Sequence, residues 1–147
     1  MQTERAIRGL MLVGGAFYIV FGVWSFADPS SFAAHVATFK PYNRHLLHDA
    51  GAFQVGLGVA LVVALLPTGA RAAALWGVAA ASSLHAVAHF LDSDLGGRGS
   101  DPWTLSLLAA AFVAAAVLDT FGRKRDATAS PTARLRPDPA ARQAQPR

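Results

Sequence analysis

Residues 9–27 read GLMLVGGAFYIVFGVWSFA, about nineteen consecutive positions without a charged side chain. A helix needs about twenty apolar residues to cross the hydrocarbon core of a bilayer, so this stretch predicts a transmembrane helix. Its glycines would weaken a helix in water, but in membrane helices they let neighbouring helices approach closely. A cleaved signal peptide is the alternative, because Ser25-Phe26-Ala27 resembles a small-x-small cleavage site.

Three more apolar blocks follow, and they predict spans at about 46–66, 72–91 and 103–118. Pro67 and Gly69 break the chain between the second and third spans. The sequence therefore predicts an all-α fold, in which residues 1–122 form a bundle of four transmembrane helices surrounded by the lipid bilayer.

Two polar segments flank these spans. The connection from 28 to 44 carries aromatic side chains, so part of it is expected to form a short helix at the membrane interface. Residues 123–147 are rich in Ala, Pro, Arg and Gln, and they predict a disordered, basic cytoplasmic tail.

Composition excludes several classes of function. The chain has no cysteine, which excludes disulfides, thiolate metal sites and thiol nucleophiles. Its net charge is +4, but seven of the thirteen basic residues follow Phe121, so the charge does not indicate a nucleic-acid partner. No catalytic motif is present, so the sequence does not predict an enzyme.

Basic residues also indicate the orientation of the bundle. With four spans, six of them share one side of the membrane: Arg5, Arg8, Arg71, Arg123, Lys124 and Arg125. The opposite side carries three: Lys40, Arg44 and Arg98. Because Lys and Arg are enriched on the cytoplasmic side, both termini are predicted to be cytoplasmic and the protein to lie in the inner cell membrane.

This topology places two histidine-containing segments at the outer end of the bundle. The second span begins with one of them, and the third span ends with the other. Residues three or four apart share one face of a helix, so each segment presents a polar stripe. Ionisable groups at membrane depth usually face the interior of a bundle. The candidate site residues are His45, His48, Asp49, Ser82, His85 and His89.

Three interpretations of these residues stay open. The first is a structural polar network that fixes helix register. The second is a pocket or pathway for a small lipophilic ligand or for a proton. The third is a metal or haem site of a redox-accessory membrane protein, with His45, Asp49, His85 and His89 as ligands. The sequence requires no cofactor, and it leaves open a homo-oligomer or a partner in a membrane complex.

Two packing expectations complete this interpretation. Gly51, Ala52 and Gly56 are small, and we expect them to let the second and third spans pack closely. Asp119 lies near the inner end of the fourth span, where we expect a solvated helix-end carboxylate.

The segment Pro41-Tyr42-Asn43-Arg44-His45-Leu46-Leu47-His48-Asp49-Ala50-Gly51 and the later His85-x-x-x-His89 resemble a known pattern. They are similar to those of small four-helix integral membrane proteins common in actinobacteria, of the DoxX-like kind. The resemblance covers about residues 6–120, and His48 falls at a position where that pattern needs no histidine. It implies the fold and the candidate residues, and it implies no particular activity.

Overall fold

The computed structural model describes residues 2–129, and within them it confirms the all-α fold. Five helices follow one another: α1 (Gln2–Ala27), α2 (Pro29–His35), α3 (Arg44–Val63), α4 (Arg71–Leu91) and α5 (Asp101–Ala129). All but the short α2 are long and apolar enough to cross a membrane, so the described chain has four candidate spans.

The bounds of the last helix differ from the prediction. Helix α5 begins at Asp101 and continues to Ala129, although the sequence suggested a span of 103–118 and a disordered tail from 123 onwards. A charged residue such as Arg123 limits the apolar span but not the helix, because the helical hydrogen bonds do not depend on an apolar side chain. Residues 130–147 of the predicted tail lie outside the described residues.

Helix α2 confirms the short helix expected between residues 28 and 44. The Asp28 carboxylate caps it by accepting the Ser31 backbone N–H at 3.0 Å. This hydrogen bond, helped by the Ser30 hydroxyl, holds the pKa of Asp28 below its usual value. The cap is therefore intact above the usual pKa of an aspartate and is lost as the pH falls through the lowered one. Phe32 of α2 is buried against the edge of Trp24, so α2 folds back onto α1.

Glycines join α1 to α3 at close range. A Cβ added at Gly51 would lie 2.7 Å from the Gly22 carbonyl oxygen, and one added at Gly58 would lie 2.7 Å from the Gly15 carbonyl oxygen. Neither position can carry a side chain without a shift of backbone, so the two helices pack with their main chains almost touching.

The expectation that the second and third spans pack through small residues is wrong. Gly51 contacts α1, while Ala52 and Gly56 are exposed. Helix α3 makes few contacts with α4, because its glycine face is occupied by the matching glycines of α1. The bundle thus consists of two tight pairs, α1/α3 and α4/α5.

The two pairs meet in one half of the bundle, where buried side chains of all four long helices form the core. Phe112 of α5 is fully buried there, and its ring fills the space that a side chain at Gly14 of α1 would need. We call the adjacent end, where Glu4, Arg8, Arg71 and Arg123 lie, the arginine end. The opposite end, with α2, His85 and His89, is the histidine end.

A buried ion-pair network lies at the arginine end. The Asp119 carboxylate has no exposed side-chain surface, and its oxygens lie 2.6 Å from Arg71 Nη2 and 3.0 Å from Arg123 Nε. Arg71 also pairs with Glu4 of α1. The expectation that Asp119 is solvated is therefore wrong, because two guanidinium groups cover it.

A valine at Gly51 tests the contact between α1 and α3. The added side chain would press against the α1 backbone, and we expect Gly51→Val to lower the free energy of unfolding by about 1–3 kcal/mol. Thermal denaturation in detergent, followed by circular dichroism, measures the loss. Gly56→Val on the same helix is the matched control, since a Cβ at Gly56 meets no atom within 4 Å. Equal stability of the two variants would contradict the glycine contact.

Neutralising Asp119 tests the network at the arginine end. Asp119→Asn leaves Arg71 and Arg123 without their shared counter-charge, and we expect a loss of about 3 kcal/mol, the low end for a broken buried ion pair. The low end applies because Glu4 still pairs with Arg71. Asp94→Asn, an exposed position in the 92–100 loop, is the control and should leave the melting temperature unchanged. An unchanged melting temperature for Asp119→Asn would show that the carboxylate contributes nothing.

Candidate ligand-binding cavity

A cavity of about 730 Å³ separates the two helix pairs at the histidine end. Aromatic and aliphatic side chains from all five helices form most of its wall, including Phe17, Phe21, Phe32, Leu47, Leu105 and Leu108. Since each pair is packed tightly within itself, the space left between the pairs becomes this cavity. Its volume lies in the range of about 300–1,000 Å³ that is usual for small-molecule sites.

A hydroxyl pair lines the deep part of the cavity. The Ser82 hydroxyl donates to the Val78 carbonyl oxygen at 2.7 Å and lies 2.6 Å from the Tyr18 hydroxyl. Because Ser82 has one proton and uses it on Val78, the hydrogen bond between the hydroxyls is donated by Tyr18. One lone pair of the Tyr18 oxygen is then available to accept a hydrogen bond from a ligand.

Two histidines one helical turn apart supply the other polar group. The Nε2 atoms of His85 and His89 lie 3.0 Å apart, and the rings stack with centroids 4.9 Å apart. Such a contact requires one ring nitrogen to donate and the other to accept, so the pair holds a proton between its rings. Both rings line the cavity, and the edge of His89 also packs against Phe39.

Two loops cover this end of the cavity, and we call them the lid: residues 36–43 and 92–100. The Lys40 backbone N–H donates to the Leu95 carbonyl oxygen at 3.1 Å, and the Arg98 guanidinium donates to the His35 carbonyl oxygen at 2.7 Å. Gly96 has a φ of +126°, and a Cβ there would lie 2.7 Å from the Thr38 carbonyl oxygen. The lid therefore needs glycine at this position.

The structure brings only part of the predicted site together. Ser82, His85 and His89 line the cavity, whereas His45, His48 and Asp49 do not. His45 Nε2 lies 3.5 Å from Asp49 Oδ2, but the two side chains are 86% and 52% exposed on the outside of α3. His48 packs against the ring of Phe26.

The residues proposed as one metal site are thus divided between two surfaces. Within residues 2–129, no group of three or more His, Cys or acidic side chains is placed to hold a metal ion. Since the glycine face of α3 turns to α1, the stripe with His45 and Asp49 turns away from His85 and His89. The joint set of His45, Asp49, His85 and His89 is not formed.

Sequence reasoning missed several residues of the cavity. Tyr18 is absent from the candidate residues, although a hydroxyl within an uncharged span is a signal that it needs a polar partner. The cavity-lining Lys40, Arg98 and Asp101 lie in loops or at a helix end, where no periodicity indicated them.

Comparison with models of protein families, with curated proteins and with solved structures returned no match. The resemblance to DoxX-like membrane proteins therefore stays a prediction from the sequence.

Removing the Arg98 side chain tests what holds the lid. Arg98→Ala loses the hydrogen bond to the His35 carbonyl oxygen, and we expect backbone amides of residues 36–40 to exchange with deuterium faster. Hydrogen–deuterium exchange with mass spectrometry in detergent measures this. Arg44→Ala, on the exposed first turn of α3, is the control and should leave the exchange of residues 36–40 unchanged. Equal exchange rates in the two variants would show that the Arg98 hydrogen bond does not hold the lid in place.

Proposed function

We propose that this multi-pass membrane protein binds a small lipophilic molecule carrying a hydrogen-bonding group, in the cavity between its two helix pairs. The observation that carries the proposal is an apolar space of about 730 Å³ containing two compact polar groups. Ligand sites commonly combine a mostly apolar wall with a few polar groups that orient the ligand.

The wall determines the lipophilic part of the proposed ligand. Phe17, Phe21 and Leu108 present apolar surface to the cavity, and the surrounding helices have the length and hydropathy of membrane spans. A molecule dissolved in the bilayer already lies beside such a site. Burial of its hydrocarbon against aromatic rings favours binding by dispersion contacts and shape.

The polar groups of the cavity determine the hydrogen-bonding part of the proposed ligand. With their Nε2 atoms bonded to each other, neutral His85 and His89 keep one Nδ1 donor and one Nδ1 acceptor, and the Tyr18 hydroxyl offers an acceptor. A hydroxyl group on the ligand can therefore be satisfied at either place, whereas a carbonyl group, which only accepts, can be satisfied at the histidine pair alone. An unpaired polar group in an apolar cavity is unfavourable, so these side chains select ligands that carry such a group.

The excess of basic residues at the arginine end supports an orientation with both termini in the cytoplasm. In that orientation the cavity lies on the outer side of the inner cell membrane. Membership of the DoxX-like proteins is part of the same proposal, and it rests on the motifs at residues 41–51 and 85–89.

A structural role of the histidines is the competing explanation, because the pair already satisfies its own hydrogen bond. A metal- or haem-dependent redox role has less support, since the ligands suggested for it lie on two surfaces. The cavity favours the ligand-binding role, because a purely structural pair needs no adjoining space.

A photoactivatable probe tests this proposal: a hexadecanol that carries a diazirine, added to the purified protein in detergent. After irradiation, we expect peptide mapping by mass spectrometry to find label on cavity residues of α1, α4 and α5. Ala88→Leu adds bulk to the cavity wall and should strongly reduce this labelling. Ala80→Leu, exposed on the same helix and outside the cavity, is the matched control and should not.

His85→Ala separates ligand binding from a structural role. If the pair orients the probe, His85→Ala should shift the label away from α4 while the protein keeps its fold by circular dichroism. Uniform labelling of exposed surfaces in the wild type, insensitive to Ala88→Leu, would contradict the proposal.

A further inference from the structure

A second cavity, of about 410 Å³, lies at the arginine end and is unrelated to the histidines. Three guanidinium groups from three helices line it: Arg8 of α1, Arg71 of α4 and Arg123 of α5. We propose that it binds a phosphate group, either the headgroup phosphate of an anionic phospholipid or free inorganic phosphate.

Among the side chains that the structure describes, the charges around this cavity do not balance. Two carboxylates, Glu4 and Asp119, face the three arginines, and both pair with Arg71 while Asp119 also pairs with Arg123. One positive charge is left over. A phosphodiester carries one negative charge, so its binding would bring the group to neutrality.

Arg8 is the one of the three arginines that forms no ion pair within 4 Å with a carboxylate of the described residues, although Glu4 lies one turn away on the same helix. Its guanidinium makes a hydrogen bond of 3.4 Å to the Leu65 carbonyl oxygen, which is long for a charged donor, and the side chain is exposed. Arg71 lines the same cavity, and its buried Nε–H has no acceptor among the described residues. Guanidinium groups present paired donors that match the oxygens of a phosphate.

The remaining wall fits the same ligand. The turn before α4 contributes Pro67 and Gly69, and Ala70, which precedes the helix, provides no side-chain cap for its first N–H groups. The positive end of the helix dipole is therefore open toward the turn. Ala64, Leu65 and Leu66 form an apolar side.

This apolar side favours a lipid over a free ion. The arginine end lies where membrane spans give way to charged residues, which is the depth of phospholipid headgroups. Basic pockets between membrane helices are suited to anionic headgroups. We therefore expect phosphatidylglycerol to bind more tightly than inorganic phosphate.

Titrations of delipidated full-length protein in dodecyl maltoside test the site. Native mass spectrometry measures binding of dioleoyl phosphatidylglycerol and of dioleoylglycerol, which lacks the phosphate. Equilibrium dialysis with radiolabelled phosphate tests the soluble source. Arg8→Gln removes the positive charge that forms no ion pair and leaves the ion pairs of Asp119 intact. Arg5→Gln, on the exposed surface of the same helix and not lining the cavity, is the matched control.

We expect phosphatidylglycerol to bind and dioleoylglycerol to bind much more weakly. Arg8→Gln should raise the dissociation constant for phosphatidylglycerol about fivefold, which corresponds to the loss of one charge contact near a membrane. Arg5→Gln should leave it unchanged. Binding of radiolabelled phosphate that Arg8→Gln abolishes would support the site with a soluble ligand. The proposal would be overturned if Arg8→Gln and Arg5→Gln had equal effects on the binding of phosphatidylglycerol and of phosphate. It would also be overturned if phosphatidylglycerol and dioleoylglycerol bound equally well. Ala88→Leu, at the other cavity, should not alter any of these values.

Discussion

Arg71 is the place where charge joins the two helix pairs. It lies on α4, pairs with Asp119 of its own helix pair and reaches across to Glu4 of the other. The carboxylate of Asp119 is fully buried, so its attraction to two guanidinium groups is screened little by water. This network and the buried core beside it hold the pairs α1/α3 and α4/α5 together in the same half of the bundle.

The packed half of the bundle explains the cavity at the histidine end. The buried core lies in the half next to the ion pairs, where Phe112 packs into the space at Gly14. Glycine contacts hold α1 and α3 together along their length. Neither helix can therefore move toward the other pair to fill the space at the histidine end. The space that results is covered by the lid and lined by the Tyr18–Ser82 and His85–His89 pairs.

Hydropathy predicted much of this fold and little of its packing. A run such as residues 9–27 records the length of a span, because the bilayer requires apolar side chains over a fixed distance. It does not record which helix lies beside which. Gly51 was assigned to the wrong neighbour for this reason. The face of α3 that carries His45 and Asp49 was expected to point into the bundle, because ionisable groups at membrane depth usually do, but it lies on the outside. Ser82, His85 and His89 were placed correctly relative to one another, since spacing within one helix fixes a shared face.

Cysteine reactivity measures the central claim directly, because the chain has no cysteine of its own. Leu75 and His85 lie on the same helix, Leu75 in the buried core and His85 on the cavity wall. With Leu75→Cys and His85→Cys in separate proteins, the rate of alkylation by N-ethylmaleimide reports the free space beside each position. The account predicts rapid alkylation at position 85, slowed by added hexadecanol, and almost none at position 75. Equal protection of both positions would contradict a bundle that is packed around Leu75 and hollow at the histidine end.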